Sequence, residues 1–325
     1  MRGHQAVGVR DLLSRGSSAA PLISFAIMTP GIHLLHKPVG PTSFSIVKSC
    51  LDSLRSDRGR KTPRLCHGGT LDPFASGLLL LLVEPATRLF DYLHDIPKTY
   101  EAVVRWGTET DNGDPHGNVI RTGDASHLTP ALLDETLASF VGWREQTPHA
   151  TSARRVDGER AYVRVHRGET VVMQPAQVYL HEAAWLSHDL PYQSVLRMTA
   201  KGGYYVRALA RDLGQALGCG AHLSQLRRAA IGPWRDPGVE QSTIVTGEAI
   251  MPWLPRRELS DQDVGDLRQD TPISTGECRE GSWTLPQGFP SPRQMVRGFH
   301  RDRFCFLLTR DNEKLLRAVN LHGGV

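Results

Sequence analysis

The run "GLLLLLVE" at residues 77–84 has no alternation of apolar and polar positions, which predicts a strand covered on both faces rather than one with a wet side. Upstream, "GIHLLHKPVGPTSFSIVKSCLDSLRS" (31–56) predicts a short strand, a Lys37–Pro38–Val39–Gly40 turn and a helix with Thr42 or Ser43 as its N-cap. Downstream, Pro85 opens an amphipathic helix with Leu89, Phe90 and Leu93 on one side. "KTYEAVVRWGTETDNGD" (98–114) alternates as a strand and ends in an Asp-Asn-Gly turn. Residues 129–141 predict a helix with Pro130 in its first turn, and "SARRVDGERAYVRVHRGE" (152–169) a strand-turn segment followed by a basic helix. "YQSVLRMTAKGGYYVRALARDLGQALG" (192–218) predicts a strand running into a helix with Val206, Leu209, Leu213 and Leu217 in register, closed by Gly218 or Gly220.

Mixed strands and helices joined by short links, without a clean βαβ repeat, predict an α+β core. The texture changes near Pro237: "DPGVEQSTIVTGEAIMPWLP" (236–255) reads as a linker, and "FCFLLT" and "LLRAVNL" as two short strands of a β-rich appendage. Residues 1–29 read as an extension outside the fold, disordered or a mis-called start. They lack a signal-peptide core, and a transit peptide is only weakly supported. The expected division is therefore an extension at 1–29, a core domain at 30–237, and a linker with a C-terminal domain at 238–325.

At 325 residues with 40% hydrophobic content the chain can bury a sizeable core. No apolar run reaches the roughly 18–20 residues of a membrane helix. The five cysteines are far apart, with no CxxC pairing, which argues against a zinc site or a disulfide framework and suits a reducing cytoplasm. Net charge is only +4, but residues 55–64 hold five basic side chains against one acid, and residues 201–235 six against one. Such clusters favour an anionic partner, nucleic acid first. Arginine outnumbers lysine 32 to 6, which suits phosphate recognition and would equally follow from a GC-rich genome.

The stretch "RLCHGGTLDPFASG" (64–77) places one carboxylate, Asp72, just before the apolar run. Pro73 biases Asp72 away from helical dihedrals, so it stands extended on a loop anchored by a strand. No second carboxylate suggests a glycosidase pair, no Ser-His-Asp order stands out, and "GRKT" (59–62) lacks the glycine spacing of a phosphate loop. Taken singly, Asp72 reads as a turn residue, His67 and Tyr100 as structural, and Arg207 as a helix-start charge.

In combination these motifs resemble the TruB family of tRNA pseudouridine synthases. "HGGTLDPFASG" matches that family's His-x-Gly-x-Leu-Asp-Pro-x-Ala-[Ser/Thr]-Gly loop, and "LLHKPVGPTS" (34–43) its lysine-proline-glycine motif. "KTYEAVVRWGTETDNGD" resembles the motif carrying its tyrosine, and "KGGYYVRALARDLGQALGCGAHLSQLRR" the one carrying its arginine and pocket leucine. The resemblance covers roughly residues 30 to 235 in order. It implies a mixed, mainly antiparallel sheet flanked by helices, with a PUA-like RNA-binding tail by analogy. It implies Asp72 as nucleophile on the uridine at position 55 of the tRNA T-arm, Arg207 as its cationic partner and Tyr100 stacked on the uracil. Leu226 would wall the pocket, with Tyr205 also at the substrate, and His67 would pack where the base leaves its stack. Lys37, Arg227, Arg228 and the basic loop are the candidates for phosphate contact. The reaction exchanges no electrons and imports no group, so no cofactor and no metal is expected, nor a membrane or protein partner, and the chain is expected to act as a monomer.

One departure stands out. Where the family shows Pro-Pro-x-Tyr-Ser-Ala, this chain has "TPHATSARR" (147–155). His149 and Thr151 replace the expected residues, a change that reads as bearing on RNA contacts and not on the chemistry. The competing readings are a tRNA-folding factor that acts by binding alone, disfavoured by the intact Asp72–Tyr100–Arg207 set, and a guide-RNA-dependent relative, disfavoured by the bacterial-type motifs.

Overall fold

The computed structural model describes residues 29–55, 62–152, 154–239, 241–290 and 293–325. The N-terminal extension through residue 28 and most of the basic segment 55–64 lie outside the described residues. The chain opens with β1 (Gly31–Lys37), α1 (Ser43–Arg55), β2 (Leu65–His67) and β3 (Ala75–Val83). A 3-10 turn at Ala86–Tyr92 leads to β4 (Lys98–Trp106), the ribbon β5 (Thr108–Thr110) and β6 (Val119–Thr122), and α2 (Pro130–Ala138). Next come β7 (Gly142–Gln146), the hairpin β8 (Arg155–Val156) and β9 (Glu159–Arg160), and α3 (Ala161–His166). The long pair β10 (Ala176–Asp189) and β11 (Gln193–Ala200) is followed by α4 (Val206–Ala216), β12 (Ala221–Ile231), β13 (Trp234–Arg235) and β14 (Ser242–Val245). The C-terminal part holds β15 (Arg256–Glu258), α5 (Asp261–Arg268), β16 (Ile273–Ser274), β17 (Met295–His300), β18 (Arg303–Asp311) and β19 (Lys314–Asn320).

Among the described residues, ten strands form one sheet in the order β14-β1-β3-β12-β4-β11-β10-β7, with β2 on β3 and β13 on β12. Its pairings are antiparallel except β3 with β12. The α+β expectation holds, and so does the reading of the leucine run. Leu79, Leu81 and Val83 pack with Ile46, Val47 and Cys50 of α1. Leu78, Leu80 and Leu82 join Ala86, Leu89 and Leu93 on the other side. Each fully buried leucine contributes about 1.5–3 kcal/mol, so covering β3 on both faces anchors whatever precedes it. The segment after Pro85 is a 3-10 turn rather than an α-helix, and Phe90 stays exposed, because only Ala86, Leu89 and Leu93 reach the core.

Local punctuation resolves as physics demands. Thr42 caps α1, accepting a hydrogen bond from the Ser45 amide at 3.0 Å, which frees Ser43 for another contact described below. Gly218, at positive φ just past Leu217, closes α4.

The stretch that reads as a linker is instead part of the main sheet. Residues 242–245 pair antiparallel with β1, and Ile250, Met251 and Leu254 are buried in the cluster that contains Leu80. Four residues of strand are too few to show alternation, so pairing with β1 decides the matter. The appendage is a five-stranded sheet, β15-β17-β18-β19-β16. Phe299, Phe304 and Leu307 share the Leu80 core.

Gly77 lies where β3 runs parallel to β12. A Cβ there would stand 2.4 Å from the Arg228 carbonyl oxygen, at φ +105°. Gly77→Ala is expected to destabilise the protein by at least about 2 kcal/mol in urea unfolding, through overpacking and left-handed strain. A loss under about 0.5 kcal/mol would contradict this close approach.

Candidate active site

The loop between β2 and β3 is held from three sides. Leu71 and Phe74 are buried, and the Gly68 amide donates to Leu80 O at 2.8 Å. From the β1–α1 turn, the Gly40 amide donates to Pro73 O at 2.8 Å. The Leu71 amide donates to Ser43 Oγ at 2.9 Å, and Lys37 Nζ donates to Ala75 O at 2.7 Å and Pro38 O at 2.8 Å. From β12, Arg228 donates to Leu78 O at 2.8 Å, Gly69 O at 3.0 Å and Thr70 O at 3.3 Å. Asp72 is thus presented by a loop whose carbonyls are already engaged.

Asp72 faces a cavity lined with Thr70, Leu71, Tyr100, His149, Ser152, Tyr204, Tyr205, Val206, Arg207 and Leu226. Arg207, in the first turn of α4, meets the carboxylate with two nitrogens: Nε lies 3.0 Å from Oδ2 and Nη2 donates to Oδ1 at 3.2 Å. This forked geometry is the strongest form of the pair. Burial pushes the Asp72 carboxyl above the ordinary carboxylate range, Arg207 opposes the rise, Asp114 adds to it and Lys37 opposes it. The side chain keeps 30% of its surface open toward the cavity, where a substrate would arrive. Burial also draws Lys37 down to about 8, with the charge of Asp72 opposing the drop. Tyr100 projects from β4, in register with Arg228 on one side and Met198 on the other. Leu226 on β12 is buried between Ala75 and Ala102.

The structure therefore brings Asp72, Tyr100, Arg207, Tyr205 and Leu226 together. It removes two residues from the phosphate-contact candidates and leaves a third, Arg227, one-third exposed. Lys37 and Arg228 are 0% and 1% exposed, with their donors on main-chain carbonyls, so neither can reach a phosphate. Arg227 is engaged by Asp236 at 2.8 Å and Glu101 at 3.2 Å. Charge counts along the chain cannot separate a solvated arginine from one that pins a loop. His67 sits on β2 opposite Leu81 and is not among the cavity-lining side chains. Burial, then Arg228 and Arg160, pull its imidazole down.

Sequence reading missed Thr70, His149, Ser152 and Tyr204. For His149 and Ser152 the signal lies in "TPHATSARR", which departs from the family motif, whereas Thr70 and Tyr204 lie inside the matched motifs. Among the described residues, His149 Nε2, Ser152 Oγ, Tyr204 Oη and, close by, Gln146 Nε2 are buried without a hydrogen-bond partner, while Gln146 Oε1 accepts from the Tyr205 amide at 2.9 Å. Unpaired buried polar atoms are rare in folded proteins, and three of these line the cavity.

The site is thus one carboxylate open to a cavity, held by a buried arginine between an aromatic and an apolar wall, on a mainly antiparallel α+β sheet. The fold is shared with a chain of a Cbf5-Nop10-Gar1 complex, at TM-score 0.60 and 22% identity, covering 86% of this chain and 78% of that one. A chain of an H/ACA RNP bound to a substrate RNA matches at TM-score 0.61 and 19% identity, covering 90% and 84%. Residues 58–206 match the TruB family pseudouridylate synthase N-terminal domain, and residues 207–267 the tRNA pseudouridylate synthase B C-terminal domain. The tRNA pseudouridine synthase B of Parasynechococcus marenigrum (strain WH8102) is 39% identical over 248 residues, covering 73% of this chain and 82% of that protein. That of Arthrobacter sp. (strain FB24) is 34% identical over 266 residues, covering 77% and 84%. The chain belongs to the TruB family.

Because Lys37 is internal, Lys37→Met is expected to lower stability and turnover while leaving the slope of log affinity for tRNA against log salt unchanged. A slope shallower by about one would instead mark a phosphate contact.

Proposed function

We propose that this enzyme converts uridine to pseudouridine at position 55 in the T-arm of tRNA, with Asp72 as the nucleophile on the flipped-out nucleotide. The observation that carries the assignment is the two-nitrogen contact of Arg207 with the one carboxylate open to the cavity. The reaction breaks the C1′–N1 bond, turns the uracil in the pocket and joins C1′ to C5. C5 gives its hydrogen to solvent and N1 takes one up, so atoms balance without an imported group. Arg207 keeps the carboxylate ionised against the desolvation of its site and aims it. Tyr100 stacks on the uracil, Leu226 packs against it, and Tyr205 closes the wall next to Arg207. Flipping the base costs a few kcal/mol, and a folded tRNA arm is recognised through shape, phosphates and splayed bases.

With the buried cations excluded, the phosphate contacts move to Arg154 and Arg155 at the start of the β8–β9 hairpin, two and three positions after Ser152. Arg154 lies near enough to Tyr205 to influence its hydroxyl. The basic segment 55–64 is the other candidate, and the C-terminal sheet is read as a PUA-like RNA-binding domain. The enzyme acts as a monomer in the cytoplasm, with no cofactor, metal or protein partner.

Single turnover on unmodified tRNA, followed by release of tritium from C5 of the uridine, tests the reading. Asp72→Asn is expected to abolish release while leaving tRNA affinity within a few-fold, and tRNA carrying cytidine at position 55 to give none. Residual wild-type-like turnover by Asp72→Asn would sink the nucleophile assignment. No release by wild type, with tight binding retained, would favour a binding role alone.

The pH dependence follows from the sign of the Asp72 shift. Its carboxyl titrates above the ordinary value of about 3.9, and protonation removes the nucleophile. The single-turnover rate is therefore expected to fall on acidification with a midpoint above pH 4. A midpoint at the ordinary carboxylate value would show the carboxyl unshifted.

A further inference from the structure

Arg207 is 7% exposed, and its guanidinium is bounded on both edges. The Nε–Nη2 edge faces Asp72. On the opposite edge Nη1 donates to Asn112 O at 2.7 Å and to Thr151 Oγ1 at 2.9 Å. A second carboxylate, Asp114, stands 4.0 Å from the same Nη1. The guanidinium is a rigid planar fork, so whatever holds Nη1 also fixes where Nε and Nη2 point. From this geometry we propose that Thr151 is a positioning residue for the reaction: its hydroxyl holds Nη1 of Arg207, keeping the forked edge on Asp72 and away from Asp114. The inference rests on Asp72 and Arg207 acting as read above.

The neighbouring side chains fit this role. His149 packs beside Arg207, in a space kept by Gly113: a Cβ at position 113 would stand 2.5 Å from His149 Nε2 and 3.2 Å from Arg207 Cβ. Its Nδ1 lies 3.3 Å from Asp111 O. Burial, Arg207 and Arg211 draw the imidazole down to about 4, so at neutral pH it fills space without adding a cation that would compete for Asp72. The Asp111–Asp114 turn is closed by its own bonds: Asn112 Nδ2 donates to Asp114 Oδ1, and the Asp114 amide to Asn112 Oδ1, each at 2.9 Å. That turn supplies the backbone acceptor and the competing carboxylate, leaving the Thr151 hydroxyl as the neutral side-chain contact that decides between the two carboxylates. The residues at 149 and 151, which depart from the family motif, thus bear on the chemistry rather than on RNA contacts alone.

Thr151→Val removes the hydroxyl and keeps the shape. Its single-turnover rate at saturating tRNA is expected to drop at least tenfold, with tRNA affinity within twofold of wild type. The acid limb of its pH–rate profile should shift to higher pH, because Asp72, which also faces Lys37 and Asp114, loses part of the Arg207 contact. Thr151→Ser should retain the wild-type rate and profile, and Thr151→Ala should lose as much as Thr151→Val without crowding the site. Adding Asp114→Asn to Thr151→Val should recover part of the rate by removing the competitor. Wild-type rate and profile in both Thr151→Val and Thr151→Ala would overturn the proposal, as would a Thr151→Ser variant as slow as Thr151→Val. Asp72→Asn run alongside separates the two readings: turnover by that variant would sink the nucleophile assignment itself, whereas its inactivity beside a normal Thr151→Val would sink only the role of Thr151.

Discussion

The loop that carries Asp72 keeps its shape because two cations are buried beneath it with their donors on main-chain carbonyls. Lys37 reaches in from the end of β1 and Arg228 from β12. A buried charge costs several kcal/mol unless something compensates it, and carbonyl dipoles supply part of that compensation. The charge on Asp72 supplies more, since it acts on both cations. Loop geometry and the ionised state of the carboxylate therefore support each other: losing either exposes the other to a desolvation cost.

Arg207 completes this arrangement from a third direction. It arrives on α4, whose apolar stripe of Val206, Leu209, Leu213 and Leu217 is buried against the sheet. The helix is positioned by core packing, and the arginine in its first turn follows. Three cations thus stand around Asp72 and its neighbour Asp114, and the surplus positive charge suits a site that must receive a polyanion. The cavity is otherwise walled by Tyr100, Leu226 and Val206, with Ser152 and Tyr204 offering polar atoms unpaired among the described residues.

The C-terminal part is continuous with this framework through packing. β14 extends the main sheet beside β1, and Phe299, Phe304 and Leu307 share a core with Leu78, Leu80 and Leu82. The strand that anchors the Asp72 loop is thus covered partly by residues more than two hundred positions away, so the tail supports the site mechanically.

Much of this was legible in the chain. Unbroken apolarity of residues 78–83, the helical register of Val206 to Leu217 and the Pro73 constraint on Asp72 are local properties, set by side-chain period and backbone sterics. Ordered motifs also marked Asp72, Tyr100, Arg207 and Leu226, which the fold then brought to one cavity. What the chain could not declare were facts of environment. Lys37 and Arg228 look like phosphate ligands as letters, yet burial makes them structural. Thr151 looks like an RNA-contact change, yet it lies 2.9 Å from the arginine that holds Asp72. Periodicity and turn chemistry act over a few residues and are written in order along the chain. Burial, pairing and the choice of partner for a charge depend on which distant segments the folded sheet brings side by side, and only the tertiary structure decides that.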